Sequence, residues 1–225
     1  MLDTVLKAKD FSATPVDAEV RSLFSSALSA NWRQAMVARG FGWHTDVGAF
    51  STPAAGGGAA AIIDQDRPNL LVSVPTGWVL VPLRVHVACQ IPLTAADSDE
   101  SEILIAADIA AAAAGITTQT VVETPTNMRS NVTSGCPFIT YSTLSANITN
   151  PTLGLELGHA VKTAEYQTDV GRNWTDLALL YEPLRPPFIV GPACLYVYYG
   201  GTIATTGFIN ADFLAVPSSL VTNLA

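Results

Sequence analysis

The run Val81-Pro82-Leu83-Arg84-Val85-His86-Val87-Ala88-Cys89-Gln90-Ile91 places an apolar residue at every odd position. Its even positions are mostly polar or small, so the segment reads as a β-strand with one buried and one open face. A period of two cannot form the stripe of a helix. Pro82 and Pro92 supply no ladder donor and sit best at an edge or a strand end.

Shorter β runs follow the same logic: "NLLVSV" (69–74), "EILIAADI" (102–109), "TQTVVE" (118–123), "LELGHAVK" (155–162), "DLALLYE" (176–182) and two closing strands inside "LYVYYGGTIATTGFINADFLAV" (195–216). Turn-like stretches such as "TAADSDE", "NITNPTLG" and "LRPPF" separate them. Some eight or nine strands with no helices between them predict an antiparallel sandwich or barrel. The Ser/Thr/Asn/Pro-rich segment 124–154 is long enough to join distant strands, which favours a jelly roll over an up-and-down barrel. "IAAAAAG" (109–115) forms either a helical turn or a small-residue loop.

The first quarter reads differently. Thr14, Pro15 and Asp17 have the order of a helix start. Val20, Leu23, Phe24, Ala27, Leu28, Trp32, Ala35 and Met36 then recur at helical spacing, with Gly40 as the stop. "RGFGWHTDVGAFSTPAAGGGAAA" is rich in Gly, Ala and Pro and reads as a link. The expected organisation is an arm over residues 1–58, carrying one amphipathic helix at 14–39, followed by a jelly-roll β-sandwich over 59–225.

Hydrophobic residues make up 49% of the 225 and charged residues only 13%. A share that low implies burial on more than one side of the sheets, or a surface that packs on partners. The net charge of −8 and the absence of a basic arm argue against direct nucleic-acid binding. No run approaches the length of a membrane span, and the start "MLDTVLKAKD" lacks a signal-peptide apolar region. Three widely spaced cysteines, Cys89, Cys136 and Cys194, do not form a disulfide framework and fit a reducing cytoplasm.

The candidate chemistry is thin, and the expectation is no enzyme, no cofactor and no metal. His86 shares its face with Arg84 and Gln90, His159 stands among Leu155, Leu157 and Val161, and His44 with Asp46 is an isolated H-x-D pair. None has the companions of a cupin metal site. Asp97, Asp99 and Glu100 lie in an acidic stretch between two strands, which reads as a solvated hairpin tip rather than a calcium loop. The closing strands are two-sided: Leu195, Val197 and Tyr199 oppose Tyr196 and Tyr198, while Ile209, Ala211, Phe213 and Ala215 oppose Phe208, Asn210, Asp212 and Leu214. Tyr196, Tyr198, Phe208 and Leu214 are therefore subunit-interface candidates, to be covered by loops of the same chain or by another subunit. Phe24, Leu28 and Trp32 are the candidate anchors of the arm.

The ending "LYVYYGGTIATTGFINADFLAV" is similar to the closing strands of trimeric jelly rolls. In overall plan the chain resembles the capsid-decorating, or cement, proteins of tailed bacteriophages. Shared features are the short arm with a helix, the missing signal peptide, "GWVLVPLRVHVACQI", the acidic turn before "EILIAADIAAAAAG" and the Tyr-rich terminal hairpin. The resemblance implies a homotrimer made in the host cytoplasm and placed on the virion surface, where it clamps copies of the major capsid protein. Rival expectations are a self-assembling shell or spike protein, a carbohydrate-binding module stacking sugars on Trp78, Tyr196 and Tyr198, and a cupin-type enzyme.

Overall fold

Alternating strands build two antiparallel sheets packed as a sandwich. The computed structural model describes residues 32–49, 51–56, 63–92, 98–109, 122–132, 135–142, 147–148, 151–165, 174–202 and 205–222. The first sheet holds β1 (Gly42–Val47), β2 (Ala54–Ala55), β4 (Trp78–Pro92), β7 (Thr126–Asn127), β10 (Trp174–Tyr181), β11 (Ile189–Val190) and β13 (Thr206–Pro217). The second holds β3 (Leu70–Val74), β5 (Ser98–Asp108), β6 (Val122–Glu123), β8 (Ile139–Ser142), β9 (Leu155–Glu165) and β12 (Ala193–Gly201). Two short helices, α1 (Trp32–Ala38) and α2 (Ser218–Thr222), flank the first sheet.

The long strands order as β10-β4-β13-β1 in one layer and β3-β12-β5-β9 in the other. Their antiparallel pairs β5–β9, β4–β10, β3–β12 and β1–β13 are nested in sequence. The chain thus runs out and back like one long ribbon folded over itself, and each step along it changes layer. The two closing strands obey this rule. β12 pairs with β3 and β5 while β13 pairs with β4 and β1, so the expected terminal hairpin is instead a crossing between the sheets.

Between the sheets lies the main core, with Leu80, Val85, Val87, Ile209, Ala211, Phe213 and Ala215 from one side and Leu70, Val72, Ile103, Ile105, Leu195, Val197 and Tyr199 from the other. Phe138 stacks on Phe213 at 5.7 Å and meets the edge of Trp78 at 6.4 Å. The faces read from sequence for the last two strands are those observed.

The stripe in β4 departs from expectation. Val85, Val87 and Cys89 do face the main core, but Val79, Val81 and Leu83 face the opposite side of the sheet. A β-bulge causes the switch: Asp212 pairs with Arg84 and Phe213 with Pro82, so Leu83 is the extra residue. One inserted residue exchanges the faces of everything beyond it. A second irregularity, between Ile105 and Ala106 in the β5–β9 pair, does the same to His159. Leu155 and Leu157 pack on the main core, whereas His159 is exposed beside Glu102.

The arm boundary at residue 58 also moves. Residues 42–47, expected in a link, are a full strand paired with β13 from Gly42↔Leu214 to Val47↔Ile209, and Trp43 and Val47 enter the main core. α1 is part of the body as well. Met36, Val37 and Phe41 pack over Val79, Val81, Leu83, Leu214 and Val216 on the outer face of the first sheet. Gly40 ends α1 as expected, with φ of 86°, its N–H donating to Val37 O and the Phe41 N–H to Met36 O. That pair of bonds is a Schellman cap, and Phe41 and Met36 lie in one cluster. The remainder of the expected helix (14–31) and the stretch 109–115, beyond Ile109, lie outside the described residues.

Candidate interaction surface

The edge of the first sheet beside β4 is notched. β10 pairs with β4 from Val85 to Pro92 and β11 pairs with it at Val79 and Leu80, so Val81–Arg84 has no ladder partner on that side among the described residues. Pro82, without an N–H, occupies this gap, where its missing donor costs nothing. The segment joining β10 to β11, "EPLRPPF", runs past the notch.

This segment and the two strands it joins expose a set of large apolar side chains. Leu180, Leu184, Phe188 and Val190 are all solvent-exposed, Leu184 at 92%. Ile189 points into the main core, so Phe188 and Val190 on either side of it point away. Trp32 at the start of α1 is exposed too. Arg33 ties that helix start to the segment, donating to Glu182 Oε1 at 3.3 Å and to the carbonyl of Pro183. Scattered exposed apolar residues are ordinary, whereas Leu180, Leu184, Phe188 and Val190 lie along one edge of the sheet.

The remaining open face of the first sheet is polar with one aromatic pair. His44 Nδ1 lies 2.7 Å from Asp212 Oδ1, with Asp46 Oδ1 3.8 Å from the other ring nitrogen. His86 meets the edge of half-buried Phe208 at 5.7 Å, and burial followed by nearby Arg84 holds the imidazole below its usual pKa. On the second sheet, His159 Nε2 is 2.7 Å from Glu102 Oε1. Glu102 belongs to β5, as does Glu100, so the acidic stretch from Ser98 onward is strand rather than hairpin tip; Asp97 lies outside the described residues. Among the described residues no group of three or more His, Cys, Asp and Glu side chains is placed to hold a metal ion. Burial pushes the thiols of Cys89 and Cys136 up to about 11, so neither is a ready nucleophile at neutral pH.

Of the interface candidates, three are covered within one chain. Tyr196 and Tyr198 are fully buried on the outer face of the second sheet, in a cluster with Leu71, Leu104, Tyr141, Ile148 and Cys194 that Ile63 and Leu153 cap. The Tyr198 hydroxyl donates to Gln65 O at 2.9 Å, and burial raises both phenols above their usual pKa. Leu214 is buried beneath α1. These residues therefore meet an overlying layer of their own chain, not a partner. Phe208 alone keeps an accessible flank. The sugar platform of Trp78, Tyr196 and Tyr198 does not form, because Trp78 packs against Phe138 while the tyrosines lie under a different layer. Of the arm anchors, Trp32 is exposed at the notched edge; Phe24 and Leu28 lie outside the described residues.

Leu180, Leu184, Phe188 and Val190 were not singled out from sequence. "LRPPF" reads as a turn, and the signal it held was two large apolar residues flanking prolines where polar ones are usual. No family model, no curated protein and no solved structure matches the chain.

Proposed function

We propose that the protein is a jelly-roll structural protein of a virion, a cement protein that binds the outside of a bacteriophage head as a homotrimer and stabilises it. The orders β10-β4-β13-β1 and β3-β12-β5-β9 support the jelly-roll reading, since a ribbon of four nested strand pairs wound into two layers generates them. The observation that carries the functional reading is the exposed apolar row from Leu180 to Val190, lying beside the start of α1. A head under internal pressure is limited by its rate of disassembly, and an external clamp raises that barrier. Several modest contacts per trimer suffice, because each one made turns the next into an intramolecular step. Its net charge of −8 keeps such a protein away from packaged nucleic acid.

The test is co-sedimentation with undecorated phage heads, followed by heating. The full chain is expected to pellet with heads and to raise the temperature at which they open. Recovery of all the protein in the supernatant contradicts a cement role. Closed particles formed by the protein alone favour the shell-forming alternative instead.

A further inference from the structure

The apolar row poses a narrower question, which is what covers it. Leu180 stands opposite His86 and Val190 opposite Val79. The row therefore runs along eight residues of β4, whose seven steps span about 23 Å at the rise of a strand. The chain before Trp32 contains a segment of matching length and chemistry. Residues 20–31 would span about 18 Å as a helix. They carry Val20, Leu23, Phe24, Ala27 and Leu28 at helical spacing.

The direction of α1 decides whose segment this is. Arg33 anchors its start beside Glu182 and Pro183 at the notched edge. At its other end Arg129 donates to Ala38 O and Asn127 to Gly40 O, both at 2.8 Å, beside β7 at the opposite edge. α1 thus crosses the strands, and the chain arrives at Trp32 pointing across the row rather than along it. The apolar stripe runs from Val20 to Met36 in one phase, with no Gly or Pro to turn it. The axis of α1, extended backwards past Trp32, leaves the edge of its own sandwich.

We infer that the row Leu180–Val190 is the seat for residues 20–31 of a neighbouring copy, so that the subunits are linked by exchanged N-terminal segments. This rests on the homo-oligomer proposed above, but not on the identity of what the oligomer binds. Exchange makes each seat a contact between chains, and closing a ring of them makes the last contact intramolecular.

The test is disulfide trapping in purified protein, with no heads present. Leu28→Cys and Leu184→Cys are introduced together in a chain also carrying Cys136→Ser; Cys89 and Cys194 are buried. Mild oxidation is expected to give covalently linked dimers and trimers on a non-reducing gel. An internal cross-link that migrates as a single chain overturns the exchange, and so does the absence of any cross-link. Leu184→Asp provides a second measurement that leaves the core untouched, since Leu184 is almost wholly exposed. Association is expected to weaken about tenfold or more, corresponding to at least about 1.4 kcal/mol; unchanged association overturns the seat. Trapped trimers that fail to pellet with heads would refute the cement role and leave this inference standing.

Discussion

Replacing Tyr199 with alanine is expected to destabilise the fold by about 3–5 kcal/mol, the usual cost of deleting a large buried ring. Domains of this size are stable by roughly 5–15 kcal/mol, so the variant should unfold at a much lower denaturant concentration or fail to accumulate. Tyr199 is fully buried in the main core, where its side chain makes two further contacts and its main chain, which the substitution keeps, makes a third. Its hydroxyl donates to Ala54 O at 3.0 Å, its N–H donates to Asn69 Oδ1 at 2.8 Å, and Gly56 packs against its ring. The ring thereby holds β2 and the residues after it against the sandwich. Tyr199→Phe keeps the volume and the backbone bond and loses only the hydroxyl, at about 1 kcal/mol. Urea unfolding of the two variants side by side checks the ratio. Equal, small losses would show that the ring is not packed as described.

Leu214→Asp is expected to abolish folding rather than merely separate subunits. Leu214 lies between Val81, Val216 and the helix residues Met36 and Val37. A carboxylate there loses the burial of the leucine and takes a charge out of water without a partner, a combined penalty of several kcal/mol. Circular dichroism and thermal melting decide the matter. A variant that melts like the parent but no longer associates would mean that Leu214 faces another subunit and that α1 does not cover it. Loss of folding in Leu214→Asp would also mean that a truncation has to keep Trp32 and the residues after it, since loss of α1 uncovers this cluster.

Strand identity was legible from sequence because two-residue alternation has one structural meaning. Leu70–Val74, Leu155–Glu165, Trp174–Tyr181 and the two closing strands fall where the runs predict. Which face each residue takes was legible only between irregularities. In β4 the odd positions stay apolar through the bulge, because helix-covered Val79 and Val81 need apolar character as much as core-facing Val85 and Val87 do. Nothing in the alternation marks the exchange; Pro82 alone hinted that the ladder was interrupted. Gly42–Val47 was hidden for a different reason. Its Gly-rich flanks read as a link, whereas pairing with β13 along its whole length determines its state.

The candidate surface was less legible still. The low charged share has two physical sources, and composition cannot separate them. One is two-sided burial, with Tyr196, Tyr198 and Leu71 on the outside of one sheet and Val81, Leu83 and Leu214 on the outside of the other. The other is the exposed row from Leu180 to Val190, which becomes visible only once β10 and β11 are placed on the same edge of β4.

The central claim is that this sandwich leaves an apolar edge uncovered so that other protein chains can cover it. Light scattering on the purified protein tests it most directly. A molar mass of three times 23.6 kDa, stable on dilution and lowered by Leu184→Asp, is the predicted result. A single chain of 23.6 kDa at every concentration, indifferent to that substitution, would contradict the account.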